Sequence, residues 1–294
     1  MNINFEWYKV FYFVASTLSF SEASEKLFIT QSAVSQSIKQ LEERLNCKLF
    51  LRSTKQVLLT QEGEHLFRHI EQAYNFIKAG ERSIEEIHSL QKGEVRIGAS
   101  DTICKYYLMD YFQEFHRKYP SVKIHLTNRT SPECIQLLEK GSVDFIVINL
   151  PAKFPNPQLD MKPIKEIQDV FIGGSGFSHL KGRKVSLQEL ARLPLLMLEK
   201  NTITREFFDR YTHDRGFHIV PEIELGSVDL LIEMTRIGLG LSFVPKDYIQ
   251  KELAEGAIFA LDMEEDIPSR TLGIMTHRRL PVSMAAAKFM ELLR

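Results

Sequence analysis

A predicted helix near the N-terminus presents polar side chains of the types that can read DNA bases. Apolar residues at steps of three and four predict this helix from Gln31 to about Leu45, behind the N-cap Thr30. Its outward side chains carry donors and acceptors that match base edges in a major groove. We expect base contacts from Gln31, Ser32, Ser35 and Gln36.

Basic side chains follow on the same segment and could contact phosphates. Residues 1–60 contain seven lysines and arginines against five acidic residues, a net charge of +2, although the whole chain has a net charge of −1. Phosphate contacts position a protein on DNA without reading its sequence. We assign them to Lys39, Arg52 and Lys55.

A second set of small polar residues lies where predicted strands end and predicted helices begin. Helix N-termini present free N–H groups that favour anions, and open α/β sheets bind ligands at the carboxyl ends of their strands. Any one of these residues could be a plain helix cap, so the predicted ligand site rests on the set. The set is Ser100, Thr102, Thr130, Ser131, Asn149, Thr202 and Ser227.

A carboxylate beside this set leaves the charge of the ligand open. Asp101 would repel an anion but could pair with an ammonium group. Lys105, Arg129 and Arg205 could offset its charge. A simple organic anion and an amino-acid-like ligand are therefore both retained.

Other combinations of reactive residues are too sparse to predict a metal site or an enzyme. His65 and His69 stand four residues apart on a predicted helix without a third ligand nearby. Cys104 lies near the expected ligand site and Cys134 at a helix start, so a redox role is a minor alternative. We predict no catalytic residue, no metal and no cofactor.

The N-terminal third of the chain is predicted to contain two regions. Residues 1–60 form short helices and a basic hairpin, with a helix-turn-helix at about 20–39 whose first helix is capped by Ser21. Residues 61–91 form one long helix, because apolar residues alternate by four and three as in a coiled-coil seam. A single apolar seam needs a partner, and a second copy of the helix is the simplest one.

The remainder, residues 92–294, alternates strands and helices. This order predicts parallel sheets with helices on their faces. We divide it into one lobe of residues 92–164 and 268–294 and another of residues 165–267.

Composition fits a globular chain. Hydrophobic residues make up 44% and charged residues 26% of the 294 residues, which argues against a disordered or fibrous protein. No apolar run reaches the roughly 18 residues of a membrane-spanning helix, and the N-terminus has no signal-peptide pattern. Three distant cysteines predict no disulfide framework. We therefore expect a cytoplasmic protein.

Several runs in the N-terminal region match a known family in order. They include Phe13-Val14-Ala15, Ser19-Phe20-Ser21-Glu22-Ala23, Thr30-Gln31-Ser32-Ala33-Val34-Ser35-Gln36, Leu49-Phe50 and Leu59-Thr60-Gln61-Glu62-Gly63. With them, residues 5–63 closely resemble the DNA-binding domain of LysR-type transcriptional regulators. Ser32 stands where that family most often has proline, and Leu51 where it often has an acidic residue. The second departure could alter contacts of the wing.

The resemblance covers the whole chain and implies both fold and function. It implies an α/β protein with an N-terminal all-α winged helix-turn-helix, a long linker helix that pairs two subunits, and a two-lobed effector-binding domain like type 2 periplasmic binding proteins. The implied function is an activator or repressor that binds an inverted repeat in double-stranded promoter DNA and contacts RNA polymerase. A homotetramer and a small carboxylate, amino acid or other anion between the lobes are also implied.

Two other classes of function are the alternatives. A ligand-binding protein without a DNA role would show no steep salt-dependent binding to duplex DNA. An enzyme working between the lobes would turn over the ligand that it binds.

Overall fold

A computed structural model describes four stretches of the chain, residues 3–52, 56–88, 93–150 and 156–293. They divide into two compact units, Met1–Ile84 and Glu85–Arg294. Within the described residues, no helix is both long enough and apolar enough to span a membrane.

Three short helices enclose the apolar core of the first unit. Phe11 and Val14 of the first helix meet Val34 and Ile38 of the third, and all four side chains are fully buried. The helices are α1 (Phe5–Thr17), α2 (Phe20–Leu27) and α3 (Gln31–Leu45).

Hydroxyl side chains fix where α2 and α3 begin. Thr30 Oγ1 accepts a hydrogen bond from Ala33 N at 3.2 Å, which confirms the predicted cap of α3. The predicted cap of α2 is wrong by two residues. Ser19, in extended backbone conformation, accepts from Glu22 N at 3.2 Å, so Ser21 lies inside the helix.

A hairpin and most of a long helix complete the first unit. Antiparallel strands β1 (Phe50–Arg52) and β2 (Val57–Leu59) are followed by α4 (Gln61–His88). Near its start α4 packs on the core through Leu66, Phe67 and Ile70. Ile77 and Ile84 lie seven residues apart further along α4, as the four-and-three alternation of its apolar seam requires, and they are 46% and 60% exposed.

The first lobe of the second unit is built on a five-stranded sheet ordered β4-β3-β5-β14-β6. The first three strands are parallel as predicted, but β14 runs antiparallel to both of its neighbours, so the sheet is mixed. The strands are β3 (Glu94–Ala99), β4 (Lys123–Asn128), β5 (Phe145–Asn149), β6 (Leu159–Ile167) and β14 (Arg270–His277).

Helices cover both faces of this sheet. Phe115, Phe145 and Phe289 are fully buried at the centre of one of its cores. The helices are α5 (Asp101–Ile103), a π-helical stretch (Cys104–Leu108), α6 (Met109–Lys118), α7 (Ser131–Glu139) and α12 (Met284–Leu292).

The second lobe repeats this plan with a sheet ordered β10-β9-β11-β7-β12 and a two-stranded sheet of β8 and β13. Phe171, Phe208 and Phe243 form the centre of its core. The strands are β7 (Asp169–Gly173), β8 (Lys184–Val185), β9 (Leu195–Leu198), β10 (Ile223–Leu225), β11 (Leu241–Pro245), β12 (Phe259–Ala260) and β13 (Asp262–Met263). The α-helices are α8 (Leu187–Leu190), α9 (Ile203–His213), α10 (Val228–Arg236) and α11 (Gln250–Ala254).

The chain passes from one lobe to the other twice. The first crossing is at Gln168, between the ends of β6 and β7, three residues beyond the predicted border. Gln168 Nε2 donates to the carbonyl of Ile267 on the returning segment at 2.9 Å. Beside it, the buried guanidinium of Arg270 pairs with the buried carboxylate of Asp169.

Candidate DNA and effector sites

The outer face of α3 presents the side chains predicted to read DNA. Its inner stripe of Val34 and Ile38 is fully buried, which fixes the rotation of the helix. Lys39 is exposed as well, with its Nζ 3.8 Å from Glu43 Oε1. All four predicted base-reading residues are exposed or half-buried: Gln31, Ser32, Ser35 and Gln36.

The other two predicted phosphate contacts belong to the hairpin. Arg52 is the last residue of β1, and its side chain lies outside the described residues. Lys55 lies outside them entirely. Their roles stay predictions.

A buried carboxylate attaches the hairpin to α3. Glu42 Oε1 accepts from the backbone N–H groups of Leu49 and Phe50 at 2.9 and 3.3 Å, and Oε2 accepts from Lys48 Nζ at 2.7 Å. Burial opposes ionisation, but these hydrogen bonds outweigh it and lower the pKa of Glu42. Sequence reasoning missed this role, because the backbone donors that Glu42 binds lie on the hairpin and not on its own helix.

A cavity of about 270 Å³ lies between the two lobes of the second unit. It lies where β3, β5, β9 and β11 end, at the carboxyl ends of strands from both sheets. Ser227 is not part of its lining, although Gly226 and Val228 are. The other six predicted residues line it: Ser100, Thr102, Thr130, Ser131, Asn149 and Thr202.

Helices from both lobes begin at the cavity. Thr202 Oγ1, for example, accepts from Arg205 N at 3.2 Å and caps α9, while Thr202 also lines the cavity. One residue can therefore both cap a helix and line the cavity. The first amides of an α-helix have no acceptor within the helix, so a ligand can take them. The residues that cap these helices are Ser100, Thr130, Thr202 and Ser227.

The charges around the cavity differ from the expectation in two positions. Arg129 lines the cavity as expected, but Lys105 and Arg205 do not. Lys105 Nζ donates to Asp229 at 2.8 Å, and the buried Arg205 is held within its own lobe by carboxylates and a backbone carbonyl. Neither cation can therefore offset Asp101 as proposed from the sequence.

The carboxylates of the lining already have partners. Asp101 Oδ1 accepts from Asn128 Nδ2 at 3.0 Å. Glu133 Oε2 accepts from the N–H and hydroxyl of Thr130 at 3.0 and 2.7 Å. The hydrogen bonds from Thr130 are the main reason that the pKa of Glu133 is lowered, so it stays ionised.

Other residues that line the cavity were not predicted from the sequence to belong to the site. Thr204 and Tyr248 come from the second lobe, and Tyr248 is 6% exposed. Asn149 Oδ1 is buried, and no donor among the described residues reaches it. A hydrogen-bond donor on a ligand would supply a partner for this oxygen.

The lobes also meet beside the cavity. Tyr106 from the first lobe stacks on Tyr248, with ring centroids 4.5 Å apart and an interplanar angle of 11°. Tyr106 and Lys105 both donate to Asp229. Burial opposes ionisation of Asp229, but these two donors hold its pKa below the ordinary value.

Burial disfavours the thiolate form of Cys104 and Cys134, and the histidine pair has no third metal ligand among the described residues. Burial raises the pKa of the Cys104 thiol to about 12 and of the Cys134 thiol to about 11, so both stay protonated near neutral pH. The rings of His65 and His69 lie 5.1 Å apart. Among the described residues, no group of three potential ligands could hold a metal ion.

Comparison with known families gives two matches that together cover most of the chain. Residues 5–64 match the model "Bacterial regulatory helix-turn-helix protein, lysR family", and residues 88–294 match "LysR substrate binding domain". The RuBisCO operon transcriptional regulator of Allochromatium vinosum is 29% identical over 295 residues, which cover 99% of this chain and 95% of that protein. A probable RuBisCO transcriptional regulator of Cyanidioschyzon merolae is 28% identical over 288 residues, covering 96% and 95%.

Solved structures share the fold. A full-length OxyR variant from Pseudomonas aeruginosa has a TM-score of 0.74 at 20% identity, covering 100% of this chain and 94% of that one. Full-length CbnR complexed with its target DNA has a TM-score of 0.67 at 17% identity, covering 99% of both chains.

Proposed function

Because the chain belongs to the LysR family of DNA-binding transcriptional regulators, we propose that it binds an inverted repeat in promoter DNA under the control of a small effector. The observation that carries the effector part is the cavity between the lobes, where helix N-termini and hydroxyl side chains converge. The exposed polar face of α3 supports the DNA part.

Base reading is assigned to the start of α3. A recognition helix enters the major groove with its N-terminal residues toward the bases. Gln31 and Gln36 are exposed there, and a glutamine amide matches an adenine edge with two hydrogen bonds. Ser32 and Ser35 contribute further donors, while Lys39, Arg52 and Lys55 contact phosphates. Glu42 holds the hairpin at the far end of the helix and so positions the wing.

An inverted repeat requires two copies of the chain. The exposed Ile77 and Ile84 on α4 support a homodimer through this helix, because burying them against a second copy removes apolar surface from water. The repeat spacing follows from the distance between the two recognition helices. Pairing of effector domains would extend the dimer to a tetramer that contacts RNA polymerase and activates or represses transcription.

The effector is a small anion that also carries a hydrogen-bond donor. The volume of about 270 Å³ lies below the range of roughly 300–1,000 Å³ typical of drug-sized ligands. Helix N-termini and Arg129 favour a carboxylate or another anion. Asn149 Oδ1 and Asp101 favour a donor, which a hydroxy acid or an amino acid supplies.

Control follows from the lining being shared by both lobes. A ligand shifts a conformational equilibrium only by binding one state more tightly than the other. An effector that contacts Ser100 and Thr102 on one lobe and Thr202 on the other favours the arrangement in which all three reach it. The change would reach the DNA-binding units through α4.

The DNA part is tested by selecting bound duplexes from a random pool with the full-length protein. We expect an inverted repeat, and a Gln36→Ala variant that loses affinity for the selected duplex but not for a scrambled one. Binding without sequence preference, or equal loss on both duplexes, would contradict base reading by Gln36.

The effector part is tested by thermal unfolding with carboxylates, hydroxy acids, amino acids and inorganic anions. A ligand at one hundred times its dissociation constant adds about 2.7 kcal/mol of stability. Thr202→Val should reduce this ligand-induced rise. Ser186→Ala is the matched control, because Ser186 caps α8 outside the cavity and should leave the rise unchanged. If the ligand stabilised Thr202→Val as much as the wild type, Thr202 would be a helix cap and not a ligand contact.

A further inference from the structure

The turn between α2 and α3 contains a phenylalanine whose placement is unfavourable for the isolated domain. Phe28 is 95% exposed. It also has a left-handed backbone, with φ +55° and ψ +39°. Bulky residues rarely adopt this conformation, and the free energy falls when a large apolar side chain is removed from water.

The left-handed backbone is required by the way α2 ends. Phe28 N donates to the carbonyl of Glu25, and Ile29 N donates to that of Ser24, at 3.2 and 3.1 Å. This pair of bonds closes a helix C-terminus only when the residue in the place of Phe28 is left-handed. Glycine and asparagine are favoured at such positions.

The end of α3 shows the same bonds with a favoured residue. Asn46, at φ +53°, donates to the carbonyl of Glu43, and Cys47 N donates to that of Glu42. Of the two described helix ends in this domain that have this pair of bonds, α3 has asparagine in the left-handed position and α2 has phenylalanine. The preference of the turn does not explain Phe28, and neither does the core.

The surroundings of Phe28 point to a polyanionic partner. Phe28 lies two residues before Thr30, so its Cα is within about 7.6 Å of the residue that caps the recognition helix. Residues 28–32 are all exposed and form one surface with the start of that helix. Between Glu25 and Glu42 the sequence contains no acidic residue but has two lysines, Lys26 and Lys39. Each pairs with a glutamate on its own helix, and both side chains are exposed.

We propose that Phe28 is an apolar DNA contact, which packs on a thymine methyl or a deoxyribose at the edge of the major groove when the recognition helix is inserted. The proposal rests on the proposed DNA-binding function and adds a residue to it. Phenylalanine is one of the side chains whose apolar surface contacts the thymine methyl group. The contact accounts for a large apolar residue in a turn that favours asparagine.

The test compares three variants of the full-length protein on the selected duplex. Phe28→Asn should raise the unfolding midpoint by a few degrees, because asparagine tolerates the left-handed backbone. The same variant should weaken binding to the selected duplex by about ten-fold, as expected for losing part of one buried aromatic side chain. Phe28→Leu keeps an apolar side chain and should lose less affinity.

Leu18→Asn is the control for the backbone effect. Leu18 ends α1 in the same conformation, at φ +49°, and is 43% exposed, but it lies a whole helix away from α3 in sequence. This variant should gain stability without losing affinity for DNA. Replacing thymines of the duplex by deoxyuridines then separates the two kinds of contact. A methyl contact predicts that the substitution weakens the wild type more than Phe28→Asn, and a deoxyribose contact predicts equal effects.

Two failures can be distinguished. If the wild-type protein selects no duplex, the proposed DNA function fails. If it selects one and Phe28→Asn binds that duplex as tightly as the wild type, the inference about Phe28 fails alone.

Discussion

Replacing Arg270 by methionine should destabilise the effector-binding unit strongly and weaken its response to ligand. Arg270 is 6% exposed and Asp169 is fully buried. Arg270 Nη2 donates to Asp169 Oδ1 at 2.7 Å, Nε donates to Oδ2, and Nη1 donates to Thr204 Oγ1 at 3.2 Å. The pair lies at the crossings between the lobes, and Thr204 lines the cavity.

The magnitude follows from what remains after the substitution. Methionine fills much of the volume but leaves the Asp169 carboxylate without its cation. Removing one partner of a buried ion pair costs about 3–5 kcal/mol. For a unit of this size each kcal/mol shifts the unfolding midpoint by about 2–4 °C. The expected fall is therefore about 6–20 °C.

Circular dichroism melting of the full-length protein measures this fall. The double variant Asp169→Asn with Arg270→Met should fall by less than the two single variants together, because no buried charge is left unpaired. A midpoint that falls by less than about 2 °C in Arg270→Met would refute the assigned role. So would strictly additive losses in the double variant.

Three further predictions concern the first unit. Lys39→Ala should weaken binding to every duplex and lower the slope of log affinity against log salt by about one; an unchanged slope would remove Lys39 from the phosphate contacts. The lowered pKa of Glu42 means that its ionisation stabilises the fold above its unfolded pKa, and that this stability is lost as pH falls through the lower folded pKa. Acid titration followed by tryptophan fluorescence should therefore show that Glu42→Gln loses less stability at low pH than the wild type does. Equal losses of stability in the two proteins would contradict the role of Glu42. Ile84→Glu should weaken the homodimer in analytical ultracentrifugation, whereas an unchanged dimer would place the contact elsewhere.

Features set by local sequence were predictable. Thr30 and Thr202 cap helices as their hydroxyls and neighbours indicate. The carboxyl ends of successive parallel strands meet at one edge, and this rule placed Ser100 and Asn149 at the same cavity. The cap at Ser21 failed because two serines flank Phe20 and only backbone geometry distinguishes them.

Features that depend on distant partners were not predictable. Lys105 pairs with Asp229, 124 residues further along the chain, and does not line the cavity. Glu42 finds backbone donors on the hairpin that no helical pattern reveals. Strand β6 has little signal in the sequence, because it contains Pro163 and lies at a sheet edge, where alternation of apolar residues is weak.

The central claim is that occupancy of the cavity changes DNA binding. We would measure anisotropy of the labelled selected duplex with the full-length protein, with and without the best stabilising ligand from the thermal panel. The account predicts that the ligand shifts the affinity or salt dependence of the wild type, and that Thr202→Val binds the duplex normally but loses the shift. A shift of full size in Thr202→Val would contradict the account, as would a wild type whose DNA binding ignores a ligand that stabilises it.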